Sequence, residues 1–379
     1  MQTSKKNIPL FKVFMADTVS QALEPVLNSG YVGQGPKVEE FETLLKDYFG
    51  TDYLLTMNSC TSALQLANYL IKPPEGWSCN DEILVSPLTC FATVSAIMAH
   101  GCKVRWVDTD PNTCNIDLLD TERKLTKNTR AISFVHWGGT PVDLYRINLL
   151  KEMYYSQYGR ELYIIEDCAH CWNTKIDNKL IGTWGNFACF SLQAIKFLNT
   201  ADGGFIILPD RETYERAKLL RWFGLDRDKG ASFRCVQDIV ESGFKYQMND
   251  IAATIGIENF GHMKDTVAIH KSNAEFYNEQ LKSVSGVTLL EQLKGFESSY
   301  WLYTIKVQDR DGFTRKMKEN GIDVNPVHAR CDKHSCVSQY KSFLPGMDYL
   351  EQFHISIPVG WWLTKEDREY IVDVIKKGW

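Results

Sequence analysis

Three short stretches hold residue types that could do chemistry together. In "SLQAIKFLNTADGG", Lys196 sits among Leu192, Ala194, Ile195, Phe197 and Leu198. An ammonium is costly to bury in such surroundings, so its amine tends to lose the proton and to act as a nucleophile or base. "LYIIEDCAH" places Asp167 after an apolar run, and "NSCTSALQL" places Ser59, Thr61 and Ser62 at the start of an apolar-periodic segment. Taken singly, these are also a snorkelling lysine, a strand-end cap and a routine helix cap.

The surrounding elements give the three a common place. Short apolar runs bounded by turn residues read as strands over Glu82–Pro87, Lys103–Asp110, Arg130–Trp137, Leu162–His170, Phe187–Leu192 and Gly204–Asp210. "CTSALQLANYLI", "CFATVSAIMAHG" and "TYERAKLLRWFG" read as helices between them, the last two ended by Gly101 and Gly224. Alternation of this kind predicts an α/β fold with a largely parallel sheet, in which ligands gather at the carboxyl ends of strands. Asp167 and Ser191 stand at such ends, and Gly203 and Gly204 allow a conformation or close approach denied to other residues.

From about Asn249 the texture changes to helix, followed by strand-like "YWLYTIKVQ", a helix at "GFTRKMKENG" and a last helix that Thr364 and Asp367 open as a capping box. Two domains follow as the expectation: residues 1–262, a large α/β domain with an N-terminal segment, and residues 263–379, a smaller C-terminal domain.

Composition narrows the class. The chain has 379 residues, 44% hydrophobic and 23% charged, enough for a substantial core. A net charge of −5 and the lack of a basic stripe argue against nucleic acid as a partner. No segment has eighteen uninterrupted apolar residues and no secretory signal is recognisable, so the expectation is a soluble, cytoplasmic protein with no membrane partner. The 11 scattered cysteines fit reduced thiols. "CAHC", Cys168 to Cys171, has no second pair at metal-ligand spacing, so no metal is expected.

A lysine between two strand ends with an acid nearby suits Schiff-base chemistry. Pyridoxal 5'-phosphate needs such a lysine, a carboxylate to keep the pyridine nitrogen protonated, and phosphate donors at a helix start. Lys196, Asp167 and the Ser59–Ser62 turn supply all three residue types.

The order of these motifs resembles the DegT/StrS family of pyridoxal-phosphate-dependent nucleotide-sugar aminotransferases. The likeness runs from "YVGQGPKVEEFE" through "NSCTSAL", "VDTDPNTCNID", "IIEDCAH" and "FSLQAIKFLNTADGG" to "FKYQMNDIAATIGIENF". It implies the type I, aspartate aminotransferase-like fold and an obligate homodimer with active sites at the interface. It also implies that Lys196 binds the cofactor and moves a proton, that Asp167 holds the pyridinium proton, and that His170 lies near the phenolic oxygen. Thr61, Ser62 and Ser191 match phosphate ligands.

Three positions depart from the family pattern. Cys90 stands where many members stack an aromatic residue on the cofactor, with Phe91 beside it. "KYQM" replaces a frequent "NYRM", which gives Lys245 the role of reaching the neighbouring subunit's phosphate. Cys60 replaces a frequent glycine.

The implied reaction carries an amino group from glutamate to a nucleotide-linked keto sugar, a 4-keto-6-deoxyhexose by family frequency, with pyridoxamine 5'-phosphate as the intermediate cofactor form. The alternatives are a sugar dehydratase using the same cofactor, in which relatives carry histidine at the lysine position, and a catalytically silent regulatory relative. "VHWGGTPVDL" reads as a structural loop beside the site, and aromatic "SIPVGWWLT" as core or interface. "NPVHARCDKHSC", with His328, Arg330, Lys333 and His334, is either a solvated loop or a binding segment for the diphosphate or amino donor. "RWFGLDRDKG" (221–230) carries several charges and no assigned role.

Overall fold

The computed structural model describes residues 6–227 and 236–379. Asp228, Lys229 and Gly230 of the charged stretch lie outside them. In chain order the strands of the main sheet and of a small ribbon are β1 (Leu54–Met57), β2 (Glu82–Val85), β3 (Lys103–Trp106), β4 (Thr129–Val135), β5 (Tyr163–Asp167), β6 (Lys175–Ile176), β7 (Lys179–Leu180), β8 (Phe187–Ser191) and β9 (Gly204–Ile207). Seven of them form one sheet in the order β1-β9-β8-β5-β4-β2-β3. Pairing is parallel from β8 through β5, β4 and β2 to β3, while β9 runs antiparallel to both β8 and β1. Strands β1, β8 and β9 are buried along their whole length, because helices cover both faces, and this is why they read as continuous apolar runs.

The helices that cover this sheet begin with α1 (Val19–Asn28), α2 (Pro36–Phe49), α3 (Cys60–Leu70) and α4 (Phe91–Met98). They continue with α5 (Leu118–Lys124), α6 (Leu144–Tyr158), α7 (Arg211–Leu220), α8 (Asp250–Phe260) and α9 (Met263–Leu281). Side-chain oxygens of Ser59, Asp117, Asp143, Asp210 and Asn249 accept backbone amides at the starts of α3, α5, α6, α7 and α8. Helix α2 is capped from a distance: the buried Asp250 carboxylate accepts the amides of Gly35, at 2.8 Å, and Val38, at 3.1 Å. That contact joins "YVGQGPKVEEFE" to "FKYQMNDIAATIGIENF".

A second sheet is antiparallel throughout, in the order β10 (Val287–Leu289), β12 (Tyr303–Val307), β13 (His354–Ile357). Between its first two strands in sequence, β11 (Phe296–Glu297) pairs with β6 and joins the ribbon to this part of the chain. Ile305, Phe313, Ile355 and Ile371 centre a hydrophobic cluster distinct from the larger one on the main sheet. Helix α9 serves both, with Met263 and Val267 in the larger and Ala274, Tyr277 and Leu281 in the smaller. Ile8, bridged to Ile322, belongs to the smaller.

Element boundaries differ from the sequence reading at functional ends. The strand expected to reach His170 stops at Asp167, because Cys168 to Cys171 form a turn closed by the Cys171 amide on the Cys168 carbonyl, 2.9 Å. The strand expected to reach Asp210 stops at Ile207, and Asp210 instead caps α7. The capping box at Thr364 and Asp367 forms as expected.

Candidate active site

The carboxyl ends of β4, β5 and β8 open into a cavity of about 610 Å³. Its floor includes Val135, Asp167 and Ser191, the last residues of those strands, and one side is formed by Ser59, Cys60 and Thr61 at the start of α3. Leu10 and Phe11, Trp301, and the segment carrying Asp323, Asn325 and His328 also line it. Lys196 reaches in from the irregular segment that follows β8.

Each group has a defined electrostatic setting. The Lys196 ammonium has no carboxylate within ion-pair distance among the described residues and lies 3.4 Å from the centroid of the Trp301 ring. Burial pulls its pKa down to about 8, with Asp167 the main opposing influence. Asp167 accepts the Thr93 hydroxyl at 2.6 Å and the Ala169 amide at 3.0 Å. Burial still raises its proton affinity above the ordinary aspartate value, and the positive charge of a protonated ring nitrogen beside it would oppose that shift and favour the carboxylate.

His170 is held neutral: burial first, and then the Lys196 charge, push its pKa well below the usual histidine value. Its Nδ1 accepts the Gly138 amide at 3.2 Å, so the neutral ring carries its proton on Nε2 as a donor. The "VHWGGTPVDL" loop supplies that amide. His136 in the same loop accepts the Val142 amide at Nδ1 and bonds Glu166 through Nε2, and Trp137 Nε1 donates to Thr304, so the loop is structural.

The start of α3 presents free backbone amides that could hold an anion. Ser59 Oγ accepts the Ser62 amide and the Ala63 amide bonds the Ser59 carbonyl, which leaves the amides of Cys60 and Thr61 without a partner among the described residues. Gly204 packs against this turn so closely that a Cβ would stand 2.5 Å from the Cys60 nitrogen, and one on Gly203 would meet Thr200 Oγ1 at 2.2 Å. The role of these glycines is therefore close approach; neither has a positive φ. Unpaired amides, a buried carboxylate and an amine of lowered pKa around one cavity fit the phosphate, ring nitrogen and aldehyde of pyridoxal phosphate.

Of the residues singled out in the sequence, Lys196, Asp167, Thr61, Cys90, His170 and Ser191 line this cavity. Ser62 does not: its hydroxyl donates to Asn58 Oδ1 at 2.6 Å and stays within the cap. Lys245 is exposed outside the cavity, its ammonium 4.6 Å from the Trp222 ring centroid. Phe91 packs edge-on against His334 instead of lining the cavity. In "NPVHARCDKHSC", Arg330 is bound by Asp332, Asp348 and Glu351, and Lys333 by Glu351, so this pair is committed within the chain.

His328 does reach the cavity. A turn in which its amide bonds the Pro326 carbonyl at 3.0 Å presents it, and holds Val327 at φ +73°. Sequence reasoning passed over Phe11 and Trp301, whose neighbours read only as an N-terminal segment and a strand. The "CAHC" thiols come within 4.8 Å of His136, but both nitrogens of that ring already have partners, which a metal would have to displace.

The fold and the site define an aminotransferase that works with pyridoxal phosphate. The family description "DegT/DnrJ/EryC1/StrS aminotransferase family" matches residues 14–376, and the chain belongs to that family. Over 99% of its length it is similar to crystalline AtS13 from Actinomadura melliaura, with 42% identity, a TM-score of 0.96 and 100% of that chain covered. Sugar aminotransferase CalS13 from Micromonospora echinospora matches at 39% identity and a TM-score of 0.94, over 98% of this chain and all of that one. GDP-perosamine synthase of Escherichia coli O157:H7 is 27% identical over 85% of each chain. The fold is accordingly that of the type I transferases, and the cofactor is pyridoxal phosphate.

Proposed function

We propose that the enzyme transfers the amino group of glutamate to a keto sugar carried on a nucleoside diphosphate, a 4-keto-6-deoxyhexose, giving the amino sugar and 2-oxoglutarate. The observation that supports this most directly is Lys196, a half-buried amine of lowered proton affinity that lines one cavity with Asp167 and the start of α3. Relatives named as a GDP-perosamine synthase and a dTDP-4-dehydro-2,3,6-trideoxy-D-glucose 4-aminotransferase support the substrate class.

Bound pyridoxal phosphate supplies the carbonyl that takes up the amine and a ring that accepts an electron pair. The chain's own residues do the rest. Lys196 Nζ takes the proton from the donor's α-carbon and returns it at the other end of the transfer. Asp167, as the carboxylate, keeps the proton on the ring nitrogen by pairing with the pyridinium charge. The amides of Cys60 and Thr61, with the Thr61 and Ser191 hydroxyls, bind the phosphate. His170 Nε2 donates a hydrogen bond without adding charge.

We further read the enzyme as a cytoplasmic homodimer in which Lys245 serves the partner's phosphate. No described helix is long and apolar enough to cross a membrane. The division into residues 1–262 and 263–379 is supported by the smaller hydrophobic cluster, whose buried members are Ile8 and residues beyond 263, while Trp301, Leu302 and the segment from Cys331 to Leu350 pack into the larger one. The test is incubation with glutamate and a panel of nucleotide-linked keto sugars, read by mass spectrometry. Equimolar amino sugar and 2-oxoglutarate are expected. A deoxygenated sugar, or no product from any member while a keto acid is aminated instead, would overturn the reading.

A further inference from the structure

Trp301 has four attachments, two of them to Lys196 and the residue before it. Its indole Nε1 donates to the carbonyl of Ile195, the residue before the lysine, at 3.0 Å. Its ring lies 3.4 Å from the ammonium. It also stacks on His170, with centroids 4.0 Å apart and planes 17° apart, and more loosely on Phe11 at 5.2 Å.

The backbone beside Trp301 is strained to place it there. Tyr300 sits at φ +53°, which a bulky side chain seldom adopts. That conformation is held by the Ser298 hydroxyl on the Tyr300 amide, at 3.0 Å, and by His270 Nδ1 on its carbonyl, at 2.9 Å. On either side, the amides of Ser299 and Leu302 bond the carbonyls of Gly139 and Gly138. The segment is therefore fixed to the loop that also orients His170. Lys196, by contrast, lies in no helix or strand, and its own amide is held only by a local turn to Gln193.

We propose that Trp301 is a positioning residue for Lys196: its indole N–H anchors the backbone beside the lysine, and its ring seats the free ammonium in the cavity. The inference rests on the reading of Lys196 given above and says how this chain holds that side chain whenever it is not bound to cofactor. A cation over an aromatic face is favoured in its charged form. Trp301 therefore opposes the burial that strips the proton, and leaves the amine able both to hold and to release it. The other groups that face Lys196 are Asp167, Cys60, Cys90 and Cys171, together with His170 and His328, while Asp202 and Asp323 line the same cavity.

The experiment uses the full-length protein stripped of cofactor. Lys196 is labelled competitively with an acylating reagent across a pH series and read by mass spectrometry, and cofactor capture is followed by the visible band that forms on adding pyridoxal phosphate. Trp301→Leu removes ring and N–H but keeps the wall apolar. Its labelling midpoint is expected to fall by about one pH unit, a roughly tenfold loss of proton affinity. Trp301→Phe keeps a ring and loses the N–H, so its midpoint stays near the native one while capture slows by about threefold to tenfold.

A midpoint that stays put or rises in Trp301→Leu overturns the proposal. If that variant does not fold, Trp301→Phe carries the test alone: a kept midpoint with slowed capture supports it, and any other combination overturns it. A native protein whose Lys196 captures no pyridoxal phosphate would sink the functional reading itself, whereas native capture with unaltered variants sinks only the role of Trp301.

Discussion

Two withdrawn cations in this chain meet opposite fates. Arg330, 7% exposed, is surrounded by Asp332 at 2.7 Å, Asp348 at 2.5 Å and Glu351 at 3.0 Å. Burial alone would lower its proton affinity, but the hydrogen bonds and charges of these carboxylates raise it above the ordinary arginine value. Lys196 has no such partner, and burial lowers it to about 8. The contrast separates structure from chemistry. A neutralised cation is locked in one state and ties the end of one segment to α11 (Pro345–Phe353), which follows α10 (Arg310–Glu319) in the chain. A cation left without a carboxylate can change state within the pH range in which enzymes work.

The largest effect that would break this comparison is on Lys196. Lys196→Ala should lower turnover by at least about 10⁴-fold in a coupled glutamate assay. Activity within tenfold of native would remove the lysine from the chemistry. Asp167→Asn comes next, with a loss of roughly 10³-fold and an unchanged circular dichroism spectrum, because an amide cannot keep the ring proton in place.

At Arg330 the effect moves from turnover to stability. Arg330→Met should cost about 1–3 kcal/mol in urea unfolding, less than a fully buried pair because Asp348 and Glu351 reach solvent, and should leave kcat within about threefold. A large loss of turnover with unchanged stability would place Arg330 in the substrate site instead.

The smallest effect concerns pH and stability. The Lys196 pKa is lower in the folded chain, about 8, than in the unfolded one, 10.5. Between these values the unfolded state binds the extra proton, so the strain of burying the ammonium is fully present below pH 8 and is relieved as pH rises toward 10.5. In the cofactor-free protein Lys196→Met should therefore raise the melting temperature by roughly 1–3 °C at neutral pH, and the gain should vanish at alkaline pH. A gain that does not depend on pH would mean that packing, and not charge, sets it.

The legible part of this fold was the part governed by local pattern. The buried strands at Phe187–Ser191 and Gly204–Ile207 are apolar along their length and so were readable as strands, although the second stops at Ile207 and Asp210 caps the next helix instead. Lys196 and Asp167 were readable because a charge beside an apolar run is conspicuous. Trp301, Phe11 and the commitment of Arg330 were not readable, for one physical reason. Each is defined by partners far away in sequence: Trp301 by Ile195 and His170, Phe11 by Trp301, and Arg330 by Asp348 and Glu351. The positive φ of Tyr300, a residue type that carries no glycine-like signal, was equally invisible. The Ser62 hydroxyl shows the same limit at short range, since sequence alone does not say whether a cap hydroxyl turns toward its helix or toward a ligand.

The most direct test of the central claim is the visible absorption spectrum of the purified protein before and after glutamate is added. A yellow band that bleaches on addition, and that is absent from Lys196→Ala, is the predicted result. It would tie cofactor, lysine and donor together in one observation. A protein that binds pyridoxal phosphate but keeps its spectrum unchanged with glutamate would contradict the donor, and one that forms no band with Lys196 intact would contradict the site.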